Sequence, residues 1–172
     1  MPAQEVTIRR LGAPGDLGWV VMAHGEIYAE EYGWDASFEA LVAKIVGDYA
    51  VSHDDHREAA WIAERDGRRV GCVFCVAADE QTAQLRILLV DPGARGARLG
   101  GRLVDECLSF ARGAGYQRMK LWTNHPLVAA RQTYLSRGFA LTEEKASEAF
   151  GKPAVERRYD LALDTDSRGP AV

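Results

Sequence analysis

A single mixed α/β domain, with helices packed on the faces of a central sheet, is the fold class this sequence predicts, and three stretches predict it. Phe38, Leu41, Val42, Ile45, Val46 and Tyr49 step by three and four, the period of a helix with one apolar face. Residues 60–65 and 69–77 are strand-like apolar runs that meet at Asp66-Gly67, a dipeptide suited to a tight hairpin. Leu85 to Arg102, LRILLVDPGARGARLGGR, begins as a strand, breaks at Asp91-Pro92-Gly93 and passes through a basic glycine turn into an amphipathic helix. A chain of 172 residues builds a sizeable core without metal or disulfide support. No linker or repeat divides it, so one domain is expected over 1–163, with a loose polar tail at 164–172.

In chain order, EVTIRRL (5–11) alternates well enough for a first strand, closed by Gly12-Ala13-Pro14-Gly15. Asp16 is then placed to cap a helix through Leu17, Val20, Val21, His24, Ile27 and Tyr28, ending near Gly33. The periodic second helix follows, with Asp35 or Ser37 as its cap. His53, Asp54, Asp55 and His56 read as a solvated connection to the hairpin. A third antiparallel strand, 84–90, comes after a turn at Asp79-Glu80.

Beyond the glycine turn, Leu99, Leu103, Val104, Cys107, Leu108 and Ala111 form one apolar helix face, stopped by Gly113 and Gly115. Met119 to Trp122 is a short strand on the far side of that helix, for which a right-handed crossover to a parallel neighbour is the natural arrangement. Pro126 suits the first turn of a fourth helix through Val128, Ala129, Ala130, Tyr134 and Leu135, ended by Gly138. Residues 139–142 and 156–163 close the sheet.

The formal net charge is −4, with acids spread along the chain, which argues against a nucleic-acid surface and makes a local basic turn stand out. No run approaches the ~18 apolar residues of a membrane span, and no signal peptide is visible at the N-terminus, so a cytoplasmic protein is expected. Cys72, Cys75 and Cys107 sit in apolar contexts and read as reduced core thiols. The Cys72/Cys75 pair has metal-like spacing but no second pair, and a strand would send the two to opposite faces, so no metal is expected.

Two stretches carry candidate chemistry. A helix start leaves backbone N–H groups unpartnered, and a phosphate placed there is bound by amides the chain already has. Gly96, Gly100 and Gly101 would let an extended ligand approach the backbone, and Arg95, Arg98 and Arg102 would add charged donors; a plain surface turn is the other reading. His24, Glu26, Tyr28, Glu30, Glu31, Tyr32, Trp34 and Asp35 mix aromatics with carboxylates beside a helix break. This is either core flanked by a solvated face or a pocket for a cationic or amine substrate.

Val90-Asp91-Pro92, Arg95-Gly96-Ala97-Arg98-Leu99-Gly100 and the later Ala130-x-x-x-Tyr134-x-x-x-Gly138-Phe139 look like the two main signatures of the Gcn5-related N-acetyltransferases, in the right order, and the order of elements fits from residue 5 to about 163. The chain resembles that family. More narrowly, His24-Gly25-x-x-Tyr28, Glu31-Tyr32-Gly33-Trp34 and Leu121-Trp122-Thr123-Asn124 are similar to the acetyltransferase half of bacterial MarR-type regulator fusions, here without the DNA-binding half.

The resemblance implies a mostly antiparallel sheet of about seven strands with about four helices, and acetyl-CoA held between two parallel strands that splay apart. It implies that Leu88, Leu89 and Val90 meet the pantetheine arm, that Arg95, Gly96, Ala97, Arg98, Leu99, Gly100 and Gly101 hold the pyrophosphate, and that Tyr134 protonates the CoA sulfur. The implied reaction is direct acetyl transfer to a primary amine of a small molecule or protein, and homodimerisation follows by analogy only. Glu31, with Glu26 and Glu30, is a candidate base, and Glu26, Tyr28, Glu31, Tyr32 and Trp34 are candidate acceptor contacts. A non-catalytic acyl-CoA-binding sensor or regulatory module is the alternative.

Two positions depart from the family pattern. Arg98 stands where the family has glycine, which is tolerated at right-handed helical angles and costly at positive φ. Leu127 stands where many members carry asparagine; Asn124, three residues earlier, is either a pantetheine contact or a helix cap.

Overall fold

The computed structural model describes residues 5–96, 98–124 and 128–164. Ala97, Pro126, Leu127 and the tail from Thr165 lie outside the described residues, and with them the expected pyrophosphate contact, helix start and loose end.

Seven strands form one sheet: β1 (Thr7–Arg10), β2 (Ala59–Arg65), β3 (Arg68–Ala77), β4 (Thr82–Val90), β5 (Arg118–Thr123), β6 (Ala140–Ala149) and β7 (Lys152–Ala162), in the spatial order β1-β2-β3-β4-β5-β7-β6. Every neighbouring pair is antiparallel except β4 and β5. Four helices complete it: α1 (Asp16–Tyr32), α2 (Ala36–Ser52), α3 (Leu99–Gly113) and α4 (Val128–Ser136). The β2–β3 turn carries Asp66 and Gly67 both at positive φ, the geometry that matches the twist of a two-residue hairpin.

The core has two halves, one on each face of the sheet. Val20, Tyr28, Val42, Val46 and Tyr49 from α1 and α2 pack on Ile62, Cys72 and Phe74. Leu99, Leu103, Val104, Cys107 and Leu108 from α3 pack on Val73, Cys75 and Leu85 from the other side. Cys72 and Cys75 thus fall on opposite faces, and all three cysteines are buried free thiols. Among the described residues no cluster of three His, Cys, Asp or Glu side chains could hold a metal, and no helix is long and apolar enough to cross a membrane.

The structure corrects two elements. Asp16 is not the cap of α1; Gly15, in left-handed geometry, precedes it with no side-chain cap bond. The Asp16 carboxylate instead turns back, fully buried, to accept from Arg9 through both Nη atoms (2.8 Å each), from Arg69 Nε (2.8 Å), and from the amides of Gly12 and Ala13. Two arginines and two loop amides outcompete the helix start for one acceptor. The second correction concerns the end of the chain, where β6 and β7 run far beyond 139–142 and 156–163 and join at Phe150-Gly151, both at positive φ. The polar, nearly all-exposed face of β6 hides this hairpin from a hydrophobic pattern.

The feature that positions the site is an opening between β4 and β5. Their parallel ladder covers Thr82–Gln84 opposite Arg118–Lys120 and stops there. Two residues on, the register of β4 against β3 shifts between Cys72 and Phe74, and Ile87 sits at φ 44. A β-branched residue in that region is strained by about 1–3 kcal/mol, and the bulge it forms turns β4 away from β5.

Candidate active site

Two adjoining cavities occupy the opening. The first, about 350 Å³, is walled by Leu88, Leu89 and Val90 at the end of β4, by Arg95, Gly96, Arg98, Leu99, Gly100 and Gly101 in the turn and first helical residues, and by Ala129, Ala130, Thr133 and Tyr134 of α4, with Tyr28 at its inner end. The sequence pattern had singled out most of these, but not Ala129 or Thr133, whose small size at helical spacing carries no signal of its own.

The chemistry of this cavity is that of a helix start left open. Arg98 precedes α3 with no side-chain bond to the first-turn amides, so the N–H groups there are not covered by a cap. A β-carbon on Gly100 would meet nothing closer than Val90 Cγ2 at 3.8 Å, which leaves room for a ligand against the backbone. Gly101 serves a different purpose. Its missing side chain makes way for the Arg137 guanidinium, which fills the place of a β-carbon as Arg137 reaches Asp105. Arg98 itself adopts φ 55 and ψ 24, so the position is one that favours glycine, and the arginine holds it at a cost of about 1–2 kcal/mol. Arg95 Nη1 is paired with Glu31 Oε1 at 2.7 Å, which ties the turn to the end of α1 and leaves the other guanidinium donors available.

The second cavity, about 210 Å³, is bounded by His24, Tyr28, Trp34 and Phe38 from the α1–α2 region, by Gln84 to Leu88 of β4, by Leu121 to Asn124 at the end of β5, and by Tyr134 and Phe150. It meets the first at Tyr28, Leu88 and Tyr134, which line both. Of the predicted acceptor contacts, Tyr28 and Trp34 are here; Glu26 is solvent-exposed, and neither it nor Glu31 nor Tyr32 lines either cavity. Tyr32 instead packs at a tilt against Tyr28 and Trp34, with centroids 5.4 and 5.3 Å away. The expected pocket of carboxylates is corrected, because among the described residues no acid lines this cavity and Glu31 is held by Arg95. Asn124 lines the second cavity, not the first, and its buried Oδ1 has no partner among the described residues.

Phe150 is a cavity wall that sequence reasoning missed, whereas His24 stands in the cluster of aromatics and carboxylates that the sequence offers as a candidate pocket. Phe150 arrives from the β6–β7 turn to pack on Trp34 (4.7 Å) and Phe38 (4.9 Å), and its carbonyl accepts from the Asp35 amide. The Phe-Gly dipeptide was the available signal. His24 is 1% exposed, with Nδ1 2.7 Å from the Val20 carbonyl. A carbonyl only accepts, so Nδ1 carries the proton and Nε2 is a bare acceptor, buried and without a hydrogen-bond partner among the described residues. Burial lowers the pKa of His24 from 6.5 to about 4, against the smaller opposing pull of the Val20 carbonyl. Burial likewise pushes the phenols of Tyr28 and Tyr134 up, so both keep their protons at neutral pH.

The His24 shift has a sign that stability measurements read. Between pH 6.5 and about 4 the unfolded chain binds a proton that the folded chain refuses. Unfolding free energy is therefore expected to be complete above pH 6.5 and to fall on acidification across that window, by up to about 3 kcal/mol. Urea titrations at half-unit pH steps check it: His24→Phe should flatten this limb, and a flat wild-type limb would mean the imidazole charges freely.

The model of the acetyltransferase (GNAT) family matches residues 21–139, well over half of the chain. The chain belongs to this family. An uncharacterized N-acetyltransferase of Schizosaccharomyces pombe is 28% identical over 144 residues, covering 83% of this chain and 88% of that protein. A mycothiol acetyltransferase of Beutenbergia cavernae is also 28% identical, over 141 residues; the match takes in 75% of this chain but 48% of the relative, so the chain spans about half of that protein's length. Among solved structures, yncA of Salmonella typhimurium, determined with its cofactor acetyl-CoA, superposes with a TM-score of 0.75 at 17% identity, covering 98% of this chain and 99% of that one. This acetyltransferase has the family's fold, a mixed seven-stranded sheet with, among the described residues, four α-helices.

Proposed function

We propose that this acetyltransferase moves the acetyl group of acetyl-CoA directly onto the primary amine of an acceptor seated in the second cavity, with the diphosphate of CoA held by the first turn of α3. The observation that carries this reading is the uncapped helix start opening on a glycine-floored cavity that continues, past Leu88 and Tyr134, into a second one.

The pantetheine arm runs along Leu88, Leu89 and Val90, whose edge toward β5 lies beyond the end of the ladder. A backbone N–H near Leu88 polarises the thioester carbonyl, and Tyr134 donates to the sulfur as it leaves. The amine reacts in its neutral form. Its attack expels the thiolate, and the proton the nitrogen then sheds replaces the one Tyr134 gives to sulfur. Glu31 is not needed as a base in this scheme. His24 Nε2 and Asn124 Oδ1 are acceptors for the amine N–H groups, and a histidine with a pKa of about 4 orients the amine better than it deprotonates an ammonium.

Cytoplasmic location, suggested by three reduced cysteines, a single domain over 1–163, and kinship to the acetyltransferase half of MarR-type fusions belong to the same reading, as does a homodimer by analogy. The test is CoA release from purified protein given acetyl-CoA and a panel of amines; acetyl-CoA binding without turnover of any amine would overturn it. A companion measurement tests the phosphate site. At 100-fold excess over Kd, acetyl-CoA should stabilise the wild type by about 2.7 kcal/mol, a melting shift of several degrees. Gly100→Glu sets bulk and negative charge on the same amides and should erase that shift. An unchanged shift would move the diphosphate elsewhere.

A further inference from the structure

Arg86 is a cation in the wall of the acceptor cavity with no anion of its own. It stands on β4 beside the bulge, half-buried, and lines the acceptor cavity on one side and a shallower hollow on the other. The two carboxylates in that hollow are already engaged: Asp48 pairs with Lys44 at 2.8 Å, and Glu58 accepts from the amides of Ala77 and Asp54. Among the described residues no carboxylate lies within ion-pairing distance of the Arg86 guanidinium. Burial strips it of water and pulls its pKa down, an effect only partly offset by the distant charge of Asp48. A guanidinium desolvated and unpaired is a cost that a bound anion removes.

The opposite polarity is close by. His24 Nε2 and Asn124 Oδ1 are buried acceptors without partners among the described residues, suited to N–H donors. Arg86 and Leu88 flank Ile87 at the bulge and both line this cavity, so one small molecule can meet both. The cavity's 210 Å³ also lies below the usual range for larger ligands, about 300–1,000 Å³.

We propose that the acceptor is a small amine that also bears a carboxylate, an amino acid in the broad sense. Its carboxylate forms a forked ion pair with Arg86, its amine lies toward Leu88 and Tyr134 with N–H groups on His24 and Asn124, and its side chain rests among Tyr28, Trp34 and Phe38. This rests on the amine-transfer reading above and narrows its substrate.

The test is a matched panel at saturating acetyl-CoA: L-phenylalanine and L-methionine, their carboxamides, and the corresponding decarboxylated amines, with CoA release as readout. Breaking a desolvated charge pair predicts that the free acids exceed their amides in kcat/KM by at least about thirtyfold, mostly through KM. Arg86→Gln should bring the acid-to-amide ratio near one, and Arg86→Lys should keep part of the preference. The ratio is independent of how much of a variant preparation is folded. Amides or simple amines turned over as well as the acids, or a preference that survives in Arg86→Gln, would overturn the inference alone. Silence across the whole panel, with the acetyl-CoA melting shift intact, would remove the amine-transfer reading and this inference with it.

Discussion

Tyr134→Phe is expected to lower kcat for CoA release by about 10²–10⁴-fold, the range that a positioned proton donor contributes, while acetyl-CoA still raises the melting temperature as in the wild type. The separation of the two effects follows from where the residue sits. Its ring is 3% exposed and is fixed by Phe139 and Tyr159, with centroids 6.0 and 5.8 Å away. Phenylalanine keeps that packing and removes only the hydroxyl. The wall shared by the two cavities is formed by Tyr134 together with Leu88 and Tyr28, so a hydroxyl there is in reach of a sulfur passing from one to the other. Burial holds the phenol above its ordinary pKa, so no inflection from Tyr134 is expected in a pH–rate profile below about pH 10. Wild-type turnover in the variant would assign the donor elsewhere.

The largest effect on stability is expected at Asp16. Asp16→Ala should cost about 3–5 kcal/mol, because removing one partner of a buried pair leaves the other charges desolvated, and for a domain of this size that is a fall in melting temperature on the order of 10 °C. The carboxylate gathers Arg9, Arg69 and two loop amides that otherwise have nothing in common. It thereby binds β1, the β1–α1 loop and β3 to one another. The hydrogen bonds from Arg9 hold its pKa well below the usual carboxylate range, against the opposing effect of burial, with the amide of Gly12 and the Arg69 side chain adding to the lowering. A depressed folded-state pKa means that this stability is present above the unfolded value, about 3.9, and is lost as the pH falls below it. Wild type should therefore show a second acid limb, below that of His24, that Asp16→Ala lacks. Denaturant unfolding at pH 7 and pH 3 measures both; a loss under 1 kcal/mol at pH 7 would mean the arginines find water or other anions at little cost.

These two residues mark the limits of what a sequence discloses. The place of Tyr134 in the cavity wall was legible because its spacing from Gly138-Phe139 belongs to a local pattern, as was the glycine turn. A helix start binds anions with its own backbone, and only the local chain decides whether that backbone is bare. The apolar faces of α2 and α3, the Asp66-Gly67 hairpin and the opposed cysteines were legible for the same reason, since periodicity and turn chemistry act within a few residues. The fold class followed from them.

What tertiary structure alone decided involves partners far apart in the chain. Asp16 was read as a cap because its local context suits one; it serves instead Arg9, the amides of Gly12 and Ala13, and Arg69, 53 residues away, which only the fold brings to it. The partner of Glu31, Arg95, comes from the glycine turn far along the chain. Arg98 could be judged only once its φ was known. The second cavity was the least visible part, since its walls at His24, Arg86, Asn124 and Phe150 come from separate stretches of the chain, and neither Arg86 nor Phe150 belongs to a local motif. The first cavity is floored by contiguous backbone, which sequence spells out; the second is a convergence of side chains, which exists only after the sheet has opened at Ile87 and the β6–β7 turn has packed on Trp34 and Phe38.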